Sequence, residues 1–237
     1  MTVHVAFGID DRYLEQVPTV MNSVVSNTKE DVVFHVLGSK VVCSKFNIIN
    51  YGKPDTSILY GTKPNSHLSL AACNRLFLPT TLKDLKKVIY LDVDTICLGD
   101  ISELYRYKVN YIGAVKDPLF IHNAKKNNLT HSYVNTGVMV MNLEGLRDIN
   151  FIQKCVDIQD KGYVFPLLDQ DIINVVLNSN IQHLPKEWNV YAPIYAETTT
   201  DMIEARERPK IIHWCGVKKP WNSDVWKIEE YKKYLIK

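Results

Sequence analysis

No run in this 237-residue chain approaches the roughly 18 consecutive apolar residues of a membrane-crossing helix. The opening MTVHVAFGIDD has neither the basic leader nor the long apolar core of a secretory signal, so the expected setting is cytoplasmic. Charge of one sign is scarce too. With 28 basic against 26 acidic residues the formal net charge is +2, which lacks the electropositive footprint of a protein whose main partner is nucleic acid. The five cysteines, Cys43, Cys73, Cys97, Cys155 and Cys215, are odd in number and show no C-x-x-C spacing. They therefore indicate neither a zinc knuckle nor a disulfide framework, and read as reduced structural thiols. Repeats and low-complexity tracts are missing. So is a glycine-rich, lysine-bearing loop after the first apolar segment: FGIDDRY cannot cradle phosphates as a nucleotidyltransferase loop does.

What is present is a core-forming composition, 46% apolar, laid out as alternating strands and helices. VHVAFGI (3–9) reads as a first buried strand. A helix follows through about residue 26, capped at Asp10 or Asp11 and kinked or restarted at Pro18. VVFHVL (32–37) is a second strand, completing a right-handed parallel unit. A short helix and a strand at 57–60 are expected next, then a helix at 66–78 stopped by Pro79. Beyond residue 100, YIGAV (111–115) and YVNTGVMVMNL (133–143) read as strands around a mobile loop at 122–132. Helices are expected at 144–161 and 167–177, short strands at 181–184 and 210–214, and a basic amphipathic helix over 224–237.

The centre of the chain is VIYLDVDTICLGDIS (88–102). Its apolar start delivers Asp92 and Asp94 to the carboxyl end of a buried strand, and alternation turns both acids to one side. An Asp-x-Asp pair alone is an ordinary turn feature. At the edge where open α/β sheets bind ligands it becomes a candidate for a hard divalent cation, which would relieve the repulsion between the carboxylates. Three other stretches stand out. Asn135-Thr136-Gly137 interrupts an apolar run, as a bulge or a close approach of backbone to ligand does. Asp169, Gln170 and Asp171 open a helix, where acids are also ordinary dipole complements. His213 precedes Gly216, Lys218 and Lys219, a composition suited to holding phosphate.

Six blocks taken in order carry a resemblance: FGIDDRY at 7–13, HLSLAACNRL at 67–76, YLDVD at 90–94, YVNTGVMVMNL at 133–143, LLDQDIIN at 167–174 and HWCGVKKPW at 213–221. Together they resemble the family 8 glycosyltransferases, which include bacterial lipopolysaccharide galactosyl- and glucosyltransferases and, more distantly, glycogenin. Asp-Gln-Asp at 169–171 sides with the bacterial branch. The resemblance implies an α/β GT-A fold over residues 1–237, with a Rossmann-like nucleotide-binding half (1–100) fused to an acceptor-binding half (101–237). It implies a retaining enzyme that moves galactose or glucose from a UDP-hexose to a glycan, glycolipid or protein acceptor. The cofactor implied is Mn2+, with Mg2+ tolerable. By the same carry-over Asp92, Asp94 and His213 are metal ligands, with Val93 between them on the donor. Asp10 accepts from uracil and Tyr13 stacks on it, with the Gly8 and Ile9 backbone nearby. His67 and Arg75 face the diphosphate and sugar; Asn135, Thr136, Asp169 and Gln170 line the hexose; Lys219 and the Gly216 backbone hold the β-phosphate. Asp169 and Gln170 are the candidate catalytic pair. Arg12 replaces a small polar residue of the family pattern, and Thr136 an alanine or serine. The short tail KIEEYKKYLIK implies at most peripheral membrane contact. Two further readings stay open: a self-glucosylating primer like glycogenin, or a non-catalytic glycan- or nucleotide-binding module on the same fold.

Overall fold

The computed structural model describes residues 1–59, 69–117, 121–129, 133–163, 165–191 and 200–236. Strand β1 (Thr2–Ile9) runs parallel to β2 (Asp31–Gly38), with the helix Val17–Ser26 between them in sequence. Pro18 stands in the first turn of that helix, where its missing N–H breaks no bond; the segment before it is a separate turn, Asp11–Tyr13, capped by Asp10. The next strand is β3 (Asn47–Tyr51), parallel to β2. This corrects the strand expected at 57–60. Thr56–Ile58 is a 3-10 turn committed by the Asp55 side chain, which takes the Ser57 N–H at 3.0 Å; Tyr60 lies outside the described residues.

Leu70–Phe77 is 3-10 rather than α-helical, capped by Ser69, and 66–68 lie outside the described residues. Pro79 does not end it. It falls in the first turn of a short α-helix, Leu78–Thr81, where proline is tolerated. The remaining strands are β4 (Lys87–Leu91), β5 (Thr95–Cys97), β6 (Ile112–Lys116), β7 (Val134–Asn142), β8 (Ile181–His183), β9 (Val190–Tyr191) and β10 (Ile211–His213). Seven form one sheet in the order β3-β2-β1-β4-β7-β6-β8, and β7 runs against its neighbours while the other six are parallel. A second sheet has the order β5-β10-β9.

Burial on both faces explains why β4 is uniformly apolar. Val88 and Tyr90 enter one core layer with Leu76 and Met139, while Ile89 and Leu91 enter the other with Val20 and Val138. Each such side chain contributes about 1.5–3 kcal/mol by leaving water. The bulge expected in β7 is seen as a register shift against β6, where Ala114 faces Met139 but Val115 faces Asn135. Three other expectations are corrected. Ile121–Lys126 is a helix inside the supposed loop at 122–132, its last-turn lysines complementing the helix dipole; residues 130–132 lie outside the described part. The helix expected at 144–161 is two helices, Leu143–Asp148 and Phe151–Asp157, broken at Asn150, whose left-handed φ of 55° asparagine tolerates. The tail helix shrinks to Ile228–Lys232, with Tyr231 packed edge-on against Trp214. No helix among the described residues is long and apolar enough to cross a membrane.

Away from the carboxyl edge of the sheet, His4 Nδ1 and His35 Nε2 meet at 3.0 Å, and His35 Nδ1 meets the Tyr51 hydroxyl at 3.1 Å. Burial, with His4 adding to it, pushes the His35 imidazole down to about 4. An unfolded chain takes up this proton near the ordinary value of 6.5, whereas the folded chain refuses it until about 4. Stability is therefore whole above that upper value and drains as pH falls through the window, by on the order of 2–3 kcal/mol. Urea midpoints of the wild type and His35→Gln at about pH 7.5 and about pH 4.5 should show a smaller acid loss in the variant.

Candidate active site at the carboxyl edge of the sheet

Three chain segments converge where β4 ends. Asp92, Val93 and Asp94 lie not on a continued strand but in the turn between β4 and β5, held by the Thr95 hydroxyl donating to the Asp92 carbonyl at 2.7 Å. Because β7 is antiparallel to β4, its opening residues lie at the same edge, and the Asp92 N–H donates to the Gly137 carbonyl at 2.8 Å. Pairing of β10 with β5 sets His213 against Thr95, and the Trp214 N–H donates to the Asp94 carbonyl at 2.9 Å. Backbone registers, not side-chain reach, thus bring the imidazole to the acids.

His213 Nε2 lies 3.1 Å from Asp94 Oδ1 and 3.8 Å from Asp92 Oδ2. One donor atom from each of the three residues lies within 4.8 Å of the others. Two carboxylate oxygens and one imidazole nitrogen form a mixed, mostly hard donor set of the kind that Mn2+ accepts and Mg2+ tolerates. Gly137 makes room for it. A Cβ there would lie 2.7 Å from Asp92 Oδ2 and strike the His213 ring. Gly137→Ala should therefore weaken binding of a divalent ion by at least about tenfold, as a displaced ligand does; calorimetric titration with Mn2+ checks this.

Charge is managed by three cations. The Lys219 ammonium binds Asp94 Oδ2 and donates to the Trp214 carbonyl at 2.9 Å. Burial would raise the Asp94 carboxyl, but Lys219 and His213 hold it well below the usual range. Burial would lower His213, yet Cys215 and Asp94 keep it well above the ordinary imidazole value. Arg75, buried behind the acids, reaches Asp92 Oδ1 at 2.7 Å, Asp169 Oδ2 at 2.9 Å and the Thr136 carbonyl at 2.6 Å, its guanidinium carbon 4.3 Å from the centre of the Tyr90 ring. Burial raises the Asp169 carboxyl to about 7, Arg75 opposing and Asp92 adding to the rise.

These groups border a cavity of about 370 Å³. Of the residues singled out in the sequence, its walls include Gly8, Tyr13, Arg75, Asp92, Val93, Asp94, Asn135, Thr136, Asp169, Gln170, His213, Gly216 and Lys219. Two stand back from it. The Ile9 side chain is in the core, and Asp10 touches the wall through Ser69, whose hydroxyl donates to Asp10 Oδ2 at 2.5 Å, and through the Tyr13 N–H, which donates to its carbonyl at 3.1 Å. Arg12 grips both oxygens of the Asp10 carboxylate, Oδ2 through Nη2 at 2.8 Å and Oδ1 through its backbone N–H at 3.1 Å. His67 lies outside the described residues. Gly216 takes a φ of 89°, which suits glycine. Leu168, just before the Asp169–Gln170 pair, is held at a φ of 49°, the kind of backbone strain that collects at working sites.

Sequence reasoning passed over Asp117, Asn189, Tyr191 and Cys215. Asp117 closes β6 as Asp92 closes β4, so the same strand-end signal marked it; its Oδ2 accepts from Asn135 Nδ2 at 3.3 Å and Gln170 Nε2 at 3.4 Å. The Tyr191 hydroxyl is buried with no hydrogen-bond partner among the described residues. Neither it nor Asn189, inside the plain segment EWNVY, carried any motif.

A mostly parallel α/β sheet with paired acids, an imidazole and a lysine around one cavity at its carboxyl edge has the architecture of a GT-A glycosyltransferase. The fold matches that of the galactosyltransferase LgtC, crystallised with donor and acceptor sugar analogues, with a TM-score of 0.82 at 22% identity over 98% of this chain and 95% of that one. The profile described as glycosyl transferase family 8 matches residues 4–225, and the chain belongs to that family. It is 28% identical to general stress protein A of Bacillus subtilis, over 94% of this chain and 88% of that protein. It is also 28% identical to the lipopolysaccharide 1,2-glucosyltransferase of Escherichia coli K12, over 98% and 76% respectively.

Proposed function

We propose that this protein is a retaining transferase that moves galactose or glucose from a UDP-hexose to a glycan or glycolipid acceptor, with Mn2+ held by Asp92, Asp94 and His213. The observation that carries the reading is the meeting of those three donors at 4.8 Å or less on the wall of a cavity that Lys219 also lines. The similar proteins named for lipopolysaccharide glucosyl transfer and galactosyl transfer support the choice of hexose and acceptor class. An ion bound there supplies a Lewis acid for the departing diphosphate. Lys219 and the Gly216 N–H donate to the β-phosphate as its charge grows. Tyr13 stacks on the uracil, and its ring stands edge-on to Trp221, 6.0 Å between centroids. On this reading Asp92 and Asp94 serve the diphosphate, and Asp117 and Gln170, on the same cavity wall, line the hexose.

Neither member of the Asp169–Gln170 pair is poised as a nucleophile. Asp169 is paired with Arg75, and Gln170 is a neutral amide whose oxygen accepts from the Thr136 N–H at 3.2 Å while its nitrogen donates to Asp117. We therefore favour attack on the same face as departure, with the leaving phosphate accepting the acceptor's proton and the pair orienting the sugar. Purified protein given UDP-glucose and UDP-galactose separately should slowly hydrolyse one of them in Mn2+, and chelation should stop it. Turnover that persists in chelator, or no turnover of either sugar, sinks the assignment. Hexose increments on the protein itself by mass spectrometry would instead mark a self-glucosylating primer.

A further inference from the structure

Behind the acids runs a chain of buried side chains that touches the donor-holding residues at both ends. His213 Nδ1 lies 2.9 Å from Asn189 Oδ1, and Asn189 Nδ2 donates to Asn135 Oδ1 at 2.9 Å. The Gly137 N–H also donates to Asn135 Oδ1, at 2.9 Å, and Asn135 Nδ2 donates to Asp117 Oδ2 at 3.3 Å. Asn189 is wholly buried, and His213, Asn135 and Asp117 nearly so, so none of them exchanges partners freely with water.

An asparagine amide is nearly symmetric in shape, so its orientation follows from a neighbour of fixed polarity. Here that neighbour is the Gly137 N–H, which can only donate. It requires the oxygen of Asn135 to face it, which turns the nitrogen of Asn135 toward Asp117, a carboxylate that can accept. The same oxygen then takes the amide nitrogen of Asn189, and the oxygen of Asn189 is left facing His213 Nδ1. An oxygen at that position demands a proton on Nδ1. The Nδ1 proton is thereby the one retained, and Nε2, the nitrogen that faces Asp92 and Asp94, is the one left to exchange its proton for a metal ion.

On these grounds we infer that Asn189 is a positioning residue for the metal site: through Asn135 it carries the hydrogen-bond polarity of the Gly137 N–H to His213 and fixes the imidazole as an Nε2 ligand. The inference rests on the metal reading of the site given above, but it concerns a residue that touches neither donor nor ion. Gly137 then has a second duty besides leaving room beside Asp92, since its N–H is the origin of the ordering. A further consequence is that the ligand set is coupled to the hexose side of the cavity, because Asp117 ends the chain and also holds Gln170.

The test uses the intact protein and two ions. Mn2+ affinity is read from the electron paramagnetic resonance signal of the free ion, and a diamagnetic cadmium probe reports by NMR coupling which nitrogen of isotope-labelled His213 binds it. In the wild type, cadmium should couple to Nε2 while Nδ1 carries a slowly exchanging proton. Asn189→Leu should lose that protected proton and weaken Mn2+ binding by about 10–100-fold, the usual cost of losing a partner behind a metal-bound histidine. Asn189→Asp keeps an oxygen facing Nδ1 but loses the N–H donated to Asn135, so it should keep the protected Nδ1 proton and weaken Mn2+ binding less than the leucine variant does; this partial rescue separates orientation from mere packing and serves if the leucine variant fails to fold. Cadmium on Nδ1 in the wild type, unchanged Mn2+ affinity in folded Asn189→Leu, or equal weakening in both variants overturns the inference. A wild type that binds neither ion sinks the metal reading itself. The Nδ1 proton, protected in wild type and lost in the leucine variant, then still decides the orientation.

Discussion

Asp94→Asn is expected to abolish Mn2+-dependent turnover of UDP-hexose, lowering kcat/KM by at least about a thousandfold, which is about 4 kcal/mol of transition-state stabilisation. The substitution changes almost no volume but removes the charge that both His213 and Lys219 face. Two losses compound. On the proposed reading the metal would lose an anionic ligand, and Lys219, mostly buried, would lose the carboxylate that neutralises it. Steady-state hydrolysis and transfer assays, with Mn2+ binding followed in parallel, check the outcome. A folded variant that keeps turnover within tenfold of wild type would remove Asp94 from the machinery.

The second large effect should come from Arg75→Gln. Its guanidinium neutralises Asp92 and Asp169 together, in a pocket that leaves it almost no exposure. Glutamine would strand both acids, and breaking a buried pair in this way costs about 3–5 kcal/mol. Arg75→Lys keeps the charge but not the planar fork that reaches Asp92, Asp169 and Thr136 at once, so it should restore only part of the loss. The damage depends on pH in a definite direction. Burial already raises the Asp169 carboxyl to about 7, and removing Arg75 raises it further. Below that value the acid takes a proton and needs no cation; above it the charge is exposed to a low-dielectric pocket. The gap between variant and wild-type unfolding midpoints should therefore be wider at about pH 8 than at about pH 6. A gap that narrows as pH rises would mean that Asp169 is not the acid Arg75 serves.

How much of this was legible in the sequence follows from how local each signal is. Apolar run length revealed β1, β2, β4 and β7, because each is buried on both faces and needs no partner information to be recognised. Asp92 and Asp94 were legible for the same reason, as acids that end such a run. The segment between residues 43 and 65 misled, since NIINY is half-exposed at a sheet edge and its alternation is weak. Pro79 misled in another way: proline ends one helix or begins the next, and only the continuation through Thr81 tells which. The turn at 92–94 was read as continuing strand because β5, only Thr95–Cys97, is too short to announce itself. Asn189 was out of reach altogether. Its role comes from the pairing of β9 with β10, a long-range register that no window of neighbouring residues contains.

The other pairing of β10, with β5, bears on how the three donors come together. His213 reaches Asp94 through the docking of β10 on β5, which sets it opposite Thr95. Asp92 and Asp94 are set by the turn after β4, whereas the imidazole that faces them comes from a strand more than a hundred residues away in the sequence. The meeting of imidazole and carboxylates is thus a property of the assembled fold and not of any stretch of neighbouring residues.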